Sequence, residues 1–298
     1  MNISEALKKS GLSVIESLFS DLHSGKDLDM ESAEKLIDSL IQEISHQKEG
    51  MLYLPDPEKT SEYLIYHTLH VLMLSLIMGY RTGIEGMELR ALGLGAVLHD
   101  LGKINTPENL VWKQDGDNEY EKTVLSEHPE MVIHWLTQKN IISDEILVII
   151  KGHHERYDGL GYPSGVSTRD FNQSSNIVSI CNYYSFLTIN ITEKPGEEPR
   201  NAFFTISKEM GKRFSPKIIN QFISVMGPML MDGPIYRKTA LVLLDTKEVA
   251  AVVKTNGFAD TLPEIIVLTN CQGKKLERPV SVDLKKDGSR RIIKLLKA

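Results

Sequence analysis

Apolar side chains recur at three- and four-residue steps through roughly the first 228 positions, and at two-residue steps beyond about 236. The first period predicts amphipathic helices and the second predicts strands. Leu12, Val14, Ile15, Leu18 and Phe19 mark one helix. Ala33, Ile37, Leu40, Ile41 and Ile44 mark another, after the acidic start Asp27-Leu28-Asp29. Positions 63–79 and 87–101 read as two apolar helices, with Leu72, Met73 and Leu76 in the core. A third is predicted over 129–139, because proline is favoured in a helix's first turn. Positions 144–152 and 176–191 supply two more. The stretches 105–116 and 158–170 read as loops long enough to carry function. Farther on, 239–244 pairs with 249–254 across a turn at 245–247, and 264–269 pairs with 280–284 across Gln272-Gly273. A last strand covers 291–295. The expected fold is mainly α: a helical bundle over 51–228, an N-terminal helical segment over 1–50 and a small C-terminal β subdomain over 229–298. The N-terminal segment reads as an input or dimerisation element.

Composition narrows the class. With 298 residues, 41% hydrophobic and 25% charged, the chain is neither disordered nor fibrous. Its 34 basic and 40 acidic residues give a net charge of -6, against the basic excess of a nucleic-acid-duplex binder. Cys181 and Cys271 provide no disulfide framework and read as reduced core thiols. No apolar signal core follows Met1, and the apolar run 71–78 is too short to cross a bilayer. The expectation is a cytoplasmic protein without a membrane partner.

The chemistry lies in the histidines. Of nine, seven fall between positions 67 and 154. His99-Asp100 ends an apolar helix, where one cation can reach both side chains and the two oxygens of Asp100 can bridge two cations. Lys103, four residues after His99, projects on the same helical face. Farther along, His153-His154-Glu155 runs into Arg156-Tyr157-Asp158-Gly159-Leu160-Gly161-Tyr162-Pro163. Paired imidazoles feeding a glycine-rich loop suit a metal-plus-phosphate site. His70 and His134 stand off this pattern and read as structural or exposed.

His99-Asp100 with Lys103, followed by His153-His154-Glu155 and Gly159 to Pro163, resembles the HD-GYP family, a branch of the HD-superfamily metal-dependent phosphohydrolases. His67 in the upstream helix and His128-Pro129, read as opening the intervening helix, complete the set. The resemblance covers roughly positions 55–190. It implies hydrolysis of cyclic di-GMP or a related cyclic dinucleotide, a bacterial second messenger, at a binuclear iron or manganese centre. By that resemblance His67, His99 and Asp100 hold one metal, and Asp100, His128, His153 and His154 the other. Lys103 neutralises the scissile phosphate, while Arg156, Gly159, Gly161 and Tyr162 form the substrate side. A metal-bridging hydroxide then attacks phosphorus in line. Signalling-protein partners and a homodimer are also expected.

The departures are informative. The family's last ligand of the first metal is an Asp, and this chain has Asn182, whose amide oxygen carries no charge. That metal should bind more weakly. Ser185 stands where the next usual Asp would be. The Arg-Pro-Tyr-Arg-like segment is replaced by Thr192 to Arg200, and Tyr63 occupies the place of a Glu in three-metal members, which argues against a third metal. These changes leave a second reading open, a sensor or scaffold that keeps the metal site without turnover.

Overall fold

The computed structural model describes residues 3–46, 52–139, 142–168, 172–231, 236–255 and 262–297. Helices α1 (Glu5–His23) and α2 (Met30–His46) pack against α3 (Tyr63–Arg81), the most buried helix of the structure. Every residue of α3 from His67 to Gly79 is buried. By length and composition α3 with its preceding turn could cross a membrane, but neighbouring helices cover its apolar surface. Around it stand α4 (Gly86–Leu98), α7 (Gln173–Thr188) and α9 (Pro216–Leu230). Next to these lie α5 (Glu119–Lys139), α6 (Asp144–Gly152) and α8 (Pro199–Lys208).

One hydrophobic core runs through α1, α2, α3, α4, α7 and α9, with Ile15, Ile37, Leu72, Leu92, Ile180 and Phe222 all buried. The N-terminal helices are thus built into the bundle. The boundary drawn near position 50 falls beside 47–51, outside the described residues. The predicted strands are present as one antiparallel sheet. Its strands are β1 (Leu241–Leu244), β2 (Val249–Lys254), β3 (Glu264–Thr269), β4 (Lys275–Asp283) and β5 (Ile292–Lys297), in the order β4-β3-β2-β1-β5. Alternate residues Val242, Leu244, Ala250, Val252, Ile265 and Val267 face the core, as the two-residue period requires.

Three expectations are corrected. The helix assigned to 129–139 begins ten residues earlier, at Glu119, and Pro129 lies inside it; first-turn preference does not stop proline occurring farther along, where it removes one backbone donor. The helix assigned to 87–101 stops at Leu98, and Leu101–Asn105 is a separate 3-10 turn. Cys181 is buried, but Cys271 is exposed, in the β3–β4 turn.

Candidate metal centre

Helix ends make this site. His99 caps the C-terminus of α4 and His153 caps that of α6, where the last carbonyls have no helical partner. Each ring uses one such carbonyl: Nδ1 of His99 lies 2.8 Å from Ala96 O, and Nδ1 of His153 lies 2.6 Å from Ile150 O. A carbonyl only accepts, so Nδ1 carries the proton and Nε2 is left with its lone pair facing inward. His128 does the same from the middle of α5, with Nδ1 2.7 Å from Leu125 O. Pro129 makes this arrangement available: it has no N–H to give the Leu125 carbonyl four residues back. The proline thus frees an acceptor within the helix, as a helix end does.

The other two rings are set by side chains. His67 Nδ1 lies 2.8 Å from Ser185 Oγ, and its Nε2 lies 2.8 Å from Asn182 Oδ1, both on α7. The amide of Gln114 meets Nδ1 of His154 at 3.0 Å. Asp100, fully buried, occupies the middle. Its Oδ2 is 3.5 Å from Nε2 of both His67 and His99, while Oδ1 is 3.2 Å from His128 Nε2 and 3.6 Å from His153 Nε2. Two groups of donors result, His67-His99-Asp100 and Asp100-His128-His153-His154, each gathered within 4.8 Å.

The donors fit a metal. The Nε2 atoms of His99 and His154 and Asp100 Oδ1 are buried with no hydrogen-bond partner. The Nε2 atoms of His128 and His153 face each other at 3.2 Å, both as lone pairs. Cation–nitrogen bonds of about 2.1 Å would bring ligand atoms to roughly this separation. Burial keeps the rings neutral: it pulls His99 down to about 4 and His67 and His154 well below the usual histidine range, and it lowers His128 and His153 as well. Burial works against the Asp100 carboxylate, but the polar and charged groups around it, from His99 to Lys103, outweigh it and hold its pKa well below normal.

Lys103 is buried and pairs with Asp100 Oδ2 at 2.8 Å. The 3-10 turn puts it three residues from Asp100 on that side, and this, not a shared α-helical face with His99, brings it to the site. Tyr162 stacks on His154 with ring centres 4.5 Å apart. Gly161 is required there, since a Cβ would fall 2.5 Å from His154 O. Gly159 takes a positive φ of 75° at the loop's turn. Arg156 forks onto Asp158 at 2.9 and 2.7 Å, within its own loop. Tyr63 stacks on His67, ring centres 5.2 Å apart.

Four features escaped the sequence reading. Glu155, quoted only as part of the motif, accepts from the backbone N–H groups of Ser164 and Val166 at 2.7 and 3.1 Å and so clasps the Gly-Tyr-Pro loop. Gln114 and Ser185 orient histidines, and Arg213 lies over the Tyr183 ring. A carboxylate directly after the paired histidines was a visible signal for the clasp; Gln114 and Arg213 carried none.

A family model for the HD domain matches residues 38–218, and one for a KOW domain associated with the HD domain matches 241–298. The chain belongs to the HD domain family, in its HD-GYP branch. The site residues of this HD-GYP protein fall within the first match. A cyclic di-GMP phosphodiesterase of Pseudomonas aeruginosa is 24% identical over 92% of the chain, and the match spans 64% of that relative. A 3'3'-cGAMP-specific phosphodiesterase of Vibrio cholerae is 29% identical over 47% of the chain and 32% of its own length. The solved structure of an HDG"Y"P protein from Bdellovibrio bacteriovorus shares the fold, with a TM-score of 0.56 at 19% identity, covering 74% of this chain and 70% of that one.

Proposed function

We propose that this HD-GYP protein is a metal-dependent phosphodiesterase that opens a cyclic dinucleotide, cyclic di-GMP or a related molecule, to a linear product. The observation that carries this reading is the sharing of Asp100 by two buried donor groups whose unpartnered atoms converge. The sets His67-His99-Asp100-Asn182 and Asp100-His128-His153-His154 would hold two cations. Imidazole and carboxylate donors without thiolate suit iron or manganese. Two such ions, when bound, lower the pKa of water and neutralise charge on a phosphoryl group.

The chain's own residues do the rest. The three carbonyl-bound rings fix their Nε2 lone pairs before any metal arrives, so little reorganisation is needed. Lys103 sets its ammonium against the shared carboxylate, where it adds to the attraction for a phosphodiester. Tyr162, clamped on His154 and held by the Glu155-clasped loop, walls one side and excludes water. The relatives that hydrolyse cyclic di-GMP and 3'3'-cGAMP support the substrate class. Asn182 favours the second reading, a sensor or scaffold without turnover, because it leaves the first donor group one negative charge short.

The deciding experiment is elemental analysis of protein purified without chelator under low oxygen, followed by incubation with cyclic di-GMP and 3'3'-cGAMP. About two iron or manganese ions per chain and a linear dinucleotide product are expected. No product from fully metal-loaded protein would leave the sensor or scaffold reading standing.

A further inference from the structure

The cations closest to the motif residues are already engaged. Lys103 is held by Asp100 and Arg156 by Asp158. A cyclic dinucleotide carries two phosphodiesters, each with a negative charge, and only one of them can lie at Asp100. Arg213, between α8 and α9, differs from the other two cations. It is buried, with its guanidinium 4.8 Å from the Tyr183 ring centre. Its Nη2 donates to Asp115 at 2.9 Å, a carboxylate that is 66% exposed, while its Nε–H is buried with no acceptor. A guanidinium stays charged and offers a flat fork that matches phosphate oxygens. A buried donor without an acceptor is costly, and an anion would relieve that cost.

The neighbours of Arg213 tie it to the metal centre. Tyr183 follows Asn182, which reaches His67, and Asp115 follows Gln114, which reaches His154. The backbone at Arg213 also holds the Gly-Tyr-Pro loop: Arg213 O accepts from Tyr157 N–H at 3.0 Å, and Lys212 O from Asp158 N–H at 2.9 Å. We infer that Arg213 is a substrate-positioning residue that holds the second, non-reacting phosphodiester of a cyclic dinucleotide while the first lies at Asp100. This rests on the phosphodiesterase reading.

The test compares wild type, R213A and R213K, all metal-loaded, on cyclic di-GMP, cyclic di-AMP and bis(p-nitrophenyl) phosphate, which has a single diester. For R213A, KM for both cyclic dinucleotides should rise roughly ten- to a hundredfold, with kcat within about threefold, as expected when a charge-assisted hydrogen bond is lost. Its kcat/KM on the single diester should stay within about twofold, and R213K should recover part of the loss because the charge remains without the fork. An equal fall on all three substrates would mean that Arg213 only braces the loop. A loss confined to cyclic di-GMP would mean that it reads the base. Either result overturns the inference, and if R213A does not fold, the R213K ratios decide the same question. Wild type that binds cyclic di-GMP without turnover would sink the phosphodiesterase reading alone; calorimetric binding to wild type and R213A would still test Arg213.

Discussion

The two halves of the metal centre share Asp100 and differ in nearly everything else. The half formed by His128, His153 and His154 has three neutral imidazoles, two of them fixed on backbone carbonyls. In the other half, His99 is carbonyl-fixed, but His67 is held by Ser185 and faces an amide, Asn182. One half is braced by the main chain; the other relies partly on side chains and has a neutral group where a carboxylate would complete it. Metal affinity grows with ligand charge and with orientation of the rings, so the halves should fill in sequence, the three-histidine half first.

Asp100→Asn should produce the largest effect, because it makes the shared donor the same kind of group as Asn182. Both halves lose their charge at once and Lys103 loses its partner. Metal content is expected below one per chain, with hydrolysis down by roughly a thousandfold or more, since in the proposed two-metal site the shared carboxylate would serve both ions. Elemental analysis and product formation measure this, with circular dichroism to show that the helices remain. Two retained ions would remove Asp100 from its bridging place.

Acid should destabilise the metal-free protein. The folded-state pKa of His99 lies at about 4, and that of His70, buried against the Pro55 carbonyl outside the donor groups, is also about 4. Both are depressed below the unfolded value of about 6.5, so the unfolded chain binds more protons as pH falls. Their contribution is complete above about pH 6.5 and is lost progressively down to about 4, on the order of 3 kcal/mol for each at most. Urea midpoints measured between pH 7.5 and 4.5 should fall steadily, and a flat profile would show that these rings are not buried neutral.

Asn182→Asp sharpens the contrast from the opposite side. Adding the missing charge should tighten the weaker half by roughly ten- to a hundredfold, a typical scale for changes around metal ligands. Titration of metal-free protein should then show two nearly equal binding steps in place of two separated ones. An unchanged first-half affinity would mean that Asn182 stays with His67 and never reaches the ion.

Much of this centre was legible before folding because metal chemistry restricts residue types: His67, His99, Asp100, His128, His153 and His154 come together in the two groups that the family resemblance implied. The helix boundaries were less legible. Periodicity carried the helix at 87–101 past its end, because Leu101 continues the apolar pattern although the chain turns at His99-Asp100. The roles of Ser185, Gln114 and Arg213 depend on contacts between segments 40 to 118 residues apart. No local pattern records such contacts.

Pro129 gives the smallest effect and the most specific test of how the stronger half is built. Misread as the start of a helix, it lies within α5 and frees the Leu125 carbonyl for His128 Nδ1. Pro129→Ala restores an N–H at that position and allows the ordinary helical bond to Leu125. The helix should gain stability, by about 1–3 kcal/mol, because an interior proline costs about 3 kcal/mol. His128 then competes with its own backbone for that carbonyl, and its ring loses the constraint that directs Nε2 at Asp100. Metal affinity of the three-histidine half should fall several-fold, up to about tenfold, while the melting temperature rises. The opposed signs distinguish this account from a proline that merely shapes the helix, for which stability would rise and metal binding would stay the same. In Asn182→Asp protein, where the other half is strengthened, the same substitution should reverse the order in which the two halves fill.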